Sequence, residues 1–153
     1  MKDRQMHVEL VTEYVKAWAW EKRTPVSYDQ FYFFGKQTRR EYTLAGAVDF
    51  VVTDAPSLLT AYYTQVFGDP STAALFRSMC LEYRRMLEAD GHKFVDIWLE
   101  RIKPYDPRGR FQNEDGAKQI DVDLLTFLQS MKLKLQYVKG NMEAADHVIQ
   151  TIL

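Results

Sequence analysis

The chain has 153 residues, 46% of them hydrophobic and 27% charged, a composition that suits one soluble globular domain with a proper core and excludes a disordered chain. Its 20 basic and 21 acidic residues nearly cancel, which argues against nucleic-acid binding driven by net charge. No apolar run reaches the length of a membrane span, the charged stretch Met1 to Gln5 lacks the apolar core of a signal peptide, and the single Cys80 excludes an intrachain disulfide and fits a reducing, cytoplasmic compartment.

In chain order, Met1 to Met6 is short and polar. His7-Val8-Glu9-Leu10-Val11 alternates enough for a strand, Thr12-Glu13-Tyr14 ends it, and Tyr14 to Trp20 reads as a helix. Lys22-Arg23-Thr24-Pro25 breaks that pattern. Ser27 is a good N-cap for a long helix over Tyr28 to Leu44, with Phe31, Phe34, Thr38 and Tyr42 near one face, and Gly46 closes it. Val48 to Thr53 is an apolar, β-branched strand that stops on Asp54. Pro56 falls in the first turn of the helix that follows, Ser57 to Val66. Gly68-Asp69-Pro70-Ser71 is a loop. Thr72 to Ala89 is a second long helix carrying Leu75, Met79, Tyr83 and Met86 on one stripe, and Asp90-Gly91-His92 ends it. Phe94 to Leu99 is the next strand, Arg101 to Gln112 a basic, proline-interrupted loop, and Glu114 to Met131 a helix. Leu133 to Val138 is the last strand, Gly140-Asn141 a turn with a helix cap, and Met142 to Leu153 the final helix.

Strands near residues 7–12, 47–53, 94–100 and 134–138, alternating with helices, predict an α/β fold. The expected architecture is one three-layer domain over 1–153 with a mostly parallel sheet of about four strands. No repeat, low-complexity tract or linker divides it.

The chemistry follows from strand ends. A strand apolar on both faces suits a parallel sheet covered by helices, and in such sheets ligands bind outside the carboxyl ends of the strands. Asp54 stands at that edge. It reads either as a carboxylate holding Mg²⁺ beside a nucleotide phosphate or as the N-cap of the next helix. Glu13 ends the first strand in the same kind of position, so the two carboxylates are expected within about 10 Å, one substrate's width. The loop after the third strand holds Arg101, Lys103, Arg108 and Arg110 within ten residues. Arginines there suit a phosphate-binding lid over the same edge. The alternative is a solvated loop whose cations pair with Glu100, Asp106, Glu114 and Asp115. His7, His92 and His147 have no metal-site spacing. Cys80 reads as a small core residue. One of Tyr62 and Tyr63 faces an acceptor pocket while its neighbour packs inward, and Trp18 and Trp20 suit core or interface packing better than base stacking.

Four segments occur in an order and spacing that resemble a known family. They are Val8 to Tyr14, Asp29-Gln30 with Lys36-Gln37, Val51 to Pro56, and Arg101 to Asp106 with Gly109 to Gln112. Together they resemble the bacterial and phage P-loop ATPase/kinase family that includes the ribosylnicotinamide kinase domain of the bacterial NAD regulator. The resemblance covers nearly the whole chain. It implies a nucleoside-kinase-like fold with strand order 2-3-1-4-5. Asp54 then resembles the Walker B carboxylate on the Mg²⁺ side of ATP, and Glu13 the carboxylate near the phosphoryl acceptor. Gln30 and Gln37 match the helix near the acceptor pocket, which Tyr62 is the further candidate to face, and Arg101, Arg108 and Arg110 match the lid.

One departure stands against this match. Kinases of this kind begin with a strand and a phosphate-cradling G-x-x-x-x-G-K-[ST] loop, and none of the seven glycines stands in that pattern. Relative to the family, the first strand, its loop and most of the first helix are missing, on the order of 25–30 residues. Without them ATP and Mg²⁺ are expected only if another segment completes the fold, and Val48 to Thr53 is expected to leave an apolar edge unpaired. The resemblance leaves three outcomes: a kinase-derived chain with lost activity, a fold completed by a second protein, or a non-catalytic phage-type module that binds a host factor. Self-association, or a second protein completing the sheet, is the expected partnership; membrane and nucleic acid are not expected partners.

Overall fold

Each apolar, β-branched run of the sequence forms a strand, and each stretch of helical spacing forms a helix. The structure, a computed structural model, describes residues 5–108 and 110–153. Residues 1–4 and Gly109, and with them most of the polar stretch Met1 to Met6 and the glycine of the lid-like loop, lie outside the described residues. The order is β1 (Val8–Val11), α1 (Lys16–Trp20), α2 (Asp29–Leu44), β2 (Phe50–Thr53), α3 (Leu58–Phe67), α4 (Pro70–Ala89), β3 (Asp96–Glu100), α5 (Glu114–Ser130), β4 (Leu135–Lys139) and α6 (Ala144–Ile152). The chain is therefore mixed α/β. It divides into two compact units, residues 1–93 and 94–153, where the sequence suggests one domain.

In the first unit β1 and β2 run parallel, with Val8 beside Phe50, Leu10 beside Val52 and Val11 beside Thr53. Helix α2 packs against both strands. Its ends follow local chemistry. Asp29 accepts the Val26 amide at 2.9 Å at the start; at the end Ala45 turns extended, and Gly46, at φ +77°, supplies the left-handed residue of the turn closed by the Ala47 amide on the Leu44 carbonyl. Asp69 caps α4 by accepting the Thr72 amide at 2.8 Å, with Pro70 in its first turn. The buried stripe of α4 is Ala73, Phe76, Cys80 and Leu87. Phe76 is 0% exposed and meets the rings of Phe31 and Phe34, with centroids 4.7 and 5.8 Å away. The stripe Leu75, Met79, Tyr83 and Met86 is only partly covered; Met79, Tyr83 and Met86 line a shallow groove with Phe34.

In the second unit β3 and β4 run parallel, with Ile97 beside Gln136 and Leu99 beside Val138. Asn113 caps α5 by accepting the Gly116 amide at 2.8 Å. Helix α6 packs on β4, after a turn in which Asn141 accepts the Glu143 amide at 3.1 Å. Among the described residues, no helix is long and apolar enough to cross a membrane.

The expected sheet of about four strands is corrected in one respect. The strands are four and their pairings parallel, but they form two separate two-stranded sheets, β1–β2 and β3–β4. No ladder among the described residues links one pair to the other. The expectation of helices on both faces also fails for β1–β2. Alternation along a strand sends neighbouring side chains to opposite faces. Helix α2 covers the face of Val11 and Thr53, while Leu10 and Val52 on the opposite face remain 59% and 46% exposed.

Gly35 lies inside α2 with open space around it: a Cβ built there meets nothing within 4 Å. Glycine in a helix interior costs about 0.5–1 kcal/mol relative to alanine. Gly35→Ala should therefore raise unfolding stability by about that amount in urea denaturation, and a loss of stability would contradict the helix described here.

Candidate functional site

Parallel pairing sends the carboxyl ends of β1 and β2 to one edge, so the residues that follow Val11 and Thr53 leave side by side. The Glu13 amide donates a hydrogen bond to Oδ1 of Asp54 at 2.9 Å. Glu13 and Asp54 therefore meet at one edge, as their positions at strand ends predict. The bond also gives the Asp54 carboxylate a structural task. That task is not the helix cap, because Ser57 is the N-cap residue of α3 and no side chain caps that helix.

Gln37 joins the same edge from α2. Its Nε2 donates to Thr53 Oγ1 at 3.0 Å and to Glu41 Oε1 at 3.2 Å. Thr53 Oγ1 in turn accepts the Ala55 amide at 3.3 Å. A line of hydrogen bonds thus runs from Glu41 to the turn that carries Asp54. The Tyr83 hydroxyl lies beside the Glu41 carboxyl and donates to the Thr38 carbonyl at 3.3 Å. Burial pushes the Glu41 carboxyl up to about 6, against the downward pull of its contacts with Gln37 and Tyr83. Burial likewise pushes the Cys80 thiol up to about 12, so it stays protonated and unreactive beside the Ser57 carbonyl.

The other residues expected in an acceptor pocket stand elsewhere. Gln30 is in the first turn of α2, about 10 Å along the helix axis from Gln37. Tyr62 is 1% exposed, packed edge-to-face with Tyr63 in the core, and offers no surface to a ligand in this arrangement. Trp18 is buried against Phe33 with Arg23 over its ring, whereas Trp20 is exposed.

A group that sequence spacing did not single out borders the edge. The hydroxyls of Tyr14 and Tyr32 lie 2.7 Å apart. Lys36 sits over the Tyr32 ring and Arg40 over the Tyr14 ring, 5.4 and 4.9 Å from the centroids. Arg40 also donates to the Thr12 carbonyl at 3.4 Å. The available signal was the four-residue spacing of Tyr32, Lys36 and Arg40, which puts them on one stripe of α2.

The basic loop belongs to the second unit, and its arginines are taken up locally. Arg101 makes a two-pronged pair with Asp121 at 2.7 and 2.8 Å. Arg108 pairs with Asp106 at 2.6 Å and holds that carboxyl down at about 2. Arg110 donates to the Asp106 carbonyl at 3.1 Å and lies over the Tyr105 ring. Lys118 on α5 pairs with Glu114 at 2.9 Å. The Asp106 pairing is one the solvated-loop alternative expects; the Asp121 partner of Arg101 is new.

Among the described residues, no group of three or more His, Cys, Asp or Glu side chains could hold a metal ion. Mg²⁺ is commonly held by one or two carboxylates with water and phosphate oxygens. Asp54 fits that demand: it is exposed, and the Glu13 amide occupies only Oδ1. The triphosphate of ATP finds no comparable fit, because the 153 residues contain no glycine-rich cradle. Comparisons with protein-family models, with curated proteins and with solved structures found no match.

The raised Glu41 carboxyl ties stability to pH with a definite sign. The folded protein holds this proton more tightly than the unfolded chain, so the stabilisation is complete below pH 4.5 and is lost as pH rises through about 6. The loss amounts to on the order of 2 kcal/mol. Glu41→Gln keeps an acceptor for Gln37 and removes the charge. Urea denaturation from pH 4 to 8 should show the variant gaining on the parent as pH rises; a pH-independent difference would refute the linkage.

Proposed function

We propose that the carboxyl edge of β1–β2 is the acceptor side of a kinase-like site. It takes a small molecule of the nucleoside or ribosylnicotinamide type, whose hydroxyls meet Glu13 and Asp54, while the buried Gln37–Thr53 pair holds the turn that carries Asp54. The observation that carries this reading is the bond from the Glu13 amide to the Asp54 carboxylate. It joins two carboxylate-bearing residues from different strands at the edge where ligands of parallel sheets bind. Strand pairing adds support. An order of 2-3-1-4-5, read without its first strand, retains two parallel pairs, and β1–β2 and β3–β4 are two parallel pairs.

In this reading Asp54 supports Mg²⁺ through Oδ2 or a water, and the ion supplies charge neutralisation at phosphate when ATP is present. The amides and lysine that would cradle the triphosphate have to come from another segment. Within the second unit, Arg101, Arg108 and Arg110 are phosphate-binding candidates that exchange Asp121 and Asp106 for phosphate oxygens, a comparable charge-assisted bond. The chain alone therefore binds an acceptor and transfers no phosphoryl group. Calorimetry on the 153-residue chain tests this. Adenosine or nicotinamide riboside should bind, ATP–Mg²⁺ should not bind in the micromolar range, and Asp54→Asn should weaken riboside binding about tenfold. The asparagine keeps an acceptor for the Glu13 amide, so the edge itself should survive. Micromolar ATP–Mg²⁺ binding would restore a self-sufficient enzyme, and absence of riboside binding would remove the acceptor reading.

A second reading, a non-catalytic phage-type module that binds a host factor or a second copy of itself, draws on a different observation. Leu10 and Val52 are register partners on parallel strands and stand exposed together. Apolar side chains grouped this way, beside unpaired strand edges, favour a protein partner. Where the partner is a second copy, light scattering at micromolar concentration should give a mass above the 18.0 kDa of one chain, and Val52→Asp should return it to that value. A monodisperse species of one chain's mass would refute self-association.

A further inference from the structure

Among the described residues, no ion pair joins a carboxylate to either of two cations at the carboxyl edge of β1–β2, Lys36 and Arg40. The ion pairs seen at Arg23, Arg84, Arg85, Arg101, Arg108 and Lys118 do not include Lys36 or Arg40. Both are exposed, one helical turn apart on α2, and both are held over tyrosine rings rather than left free. The two rings meet edge-to-face at 5.4 Å, so the cations converge on one small area. The Tyr14 hydroxyl registers that convergence. The hydrogen bond with Tyr32 raises its pKa, and the fields of Lys36 and Arg40 both act in the opposite direction.

The donors outnumber the acceptors they already serve. Arg40 gives one N–H to the Thr12 carbonyl and keeps others. The Tyr14–Tyr32 contact uses one hydroxyl hydrogen, so the second remains for another acceptor. An ammonium, a guanidinium and a phenol donor, with neither cation ion-paired to a described carboxylate, suit a ligand group that is anionic and accepts hydrogen bonds only. Phosphate is such a group, and its bonds to cations are of the strong, charge-assisted kind.

We propose that Lys36, Arg40, Tyr14 and Tyr32 form a subsite for the phosphate of a phosphorylated small molecule, a sugar phosphate or nucleoside monophosphate. The neighbouring carboxylates of Glu13 and Asp54 repel phosphate and accept hydroxyls. The ligand is therefore oriented, with its hydroxyls toward β1–β2 and its phosphate toward α2. That orientation rests on the acceptor reading above; the phosphate contact does not.

Amide-resolved NMR titration of the whole chain at low ionic strength separates the two, with inorganic phosphate, ribose 5-phosphate and ribose as probes. Inorganic phosphate and ribose 5-phosphate should shift the amides of Tyr14, Tyr32, Lys36 and Arg40, and ribose should not. The double variant Lys36→Gln/Arg40→Gln should weaken phosphate binding at least about tenfold. A control with the same charge change, Arg39→Gln/Lys93→Gln, should leave it within about twofold. All four positions are exposed, and thermal melts confirm that the variants fold. Phosphate shifts absent from these four residues, or equal weakening in variant and control, would overturn the subsite. Phosphate binding retained while ribose 5-phosphate leaves Glu13 and Asp54 unshifted would overturn the acceptor reading alone.

Discussion

A buried amide is costly unless its hydrogen bonds are made, and Gln37 meets that demand in a way that fixes the first unit. Gln37 is 5% exposed. One hydrogen of its Nε2 goes across to Thr53 at the end of β2, and the other goes along α2 to Glu41. Helix α2 can then neither slide nor roll over the strand pair without stranding a polar group in the core. The same bonds draw the Thr53-Asp54-Ala55 turn toward α2, where Asp54 meets the Glu13 amide. Local order at the candidate edge is thus a by-product of satisfying one side chain.

The arginine loop shows a weaker kind of constraint. Its pairs are well formed but stand largely in water, where an ion pair contributes on the order of 1 kcal/mol or less. Such bonds shape a loop at rest and yield readily to a more highly charged partner. The pairing of Arg101 with Asp121 stiffens the loop start against α5, while Arg108 and Asp106 close on each other over two residues.

Periodicity made the elements legible. The strands at Val8–Val11, Phe50–Thr53, Asp96–Glu100 and Leu135–Lys139 fall within the expected runs or a residue or two from them, because alternation and β-branching are local properties. Pairing is not local. Nothing in the run Val48 to Thr53 itself says whether its second edge will be filled; the expectation of an unpaired edge comes from the absent glycine-rich loop and its strand, and the single four-strand sheet is read from alternation alone. The same limit hid the Tyr14–Tyr32 contact and the Arg101–Asp121 pair, whose members stand 18 and 20 residues apart. Asp54 and Glu13 were legible because a strand end in a parallel pair is a position that sequence does specify. Tyr62 was not, since a tyrosine on an amphipathic helix fits a pocket wall and a core equally well and only burial decides.

The three roles of α2 show how one helix organises the first unit. Phe33 and Gln37, four residues apart, are its buried positions, and Gln37 reaches β2. Phe34 meets Phe76 on α4, and the Thr38 carbonyl receives Tyr83 from the same helix. Tyr32, Lys36 and Arg40, again at four-residue spacing, turn toward Tyr14 and the strand ends. Each stripe is offset from the next by one residue, about 100° of rotation. A one-residue insertion ahead of Tyr32 leaves all three intact, whereas one between Gly35 and Lys36 separates the aromatic contacts from Gln37 and from both cations. The packing of the unit and the charge at its edge are therefore not independent: the spacing that buries Gln37 is the spacing that presents Lys36 and Arg40 beside the strand ends.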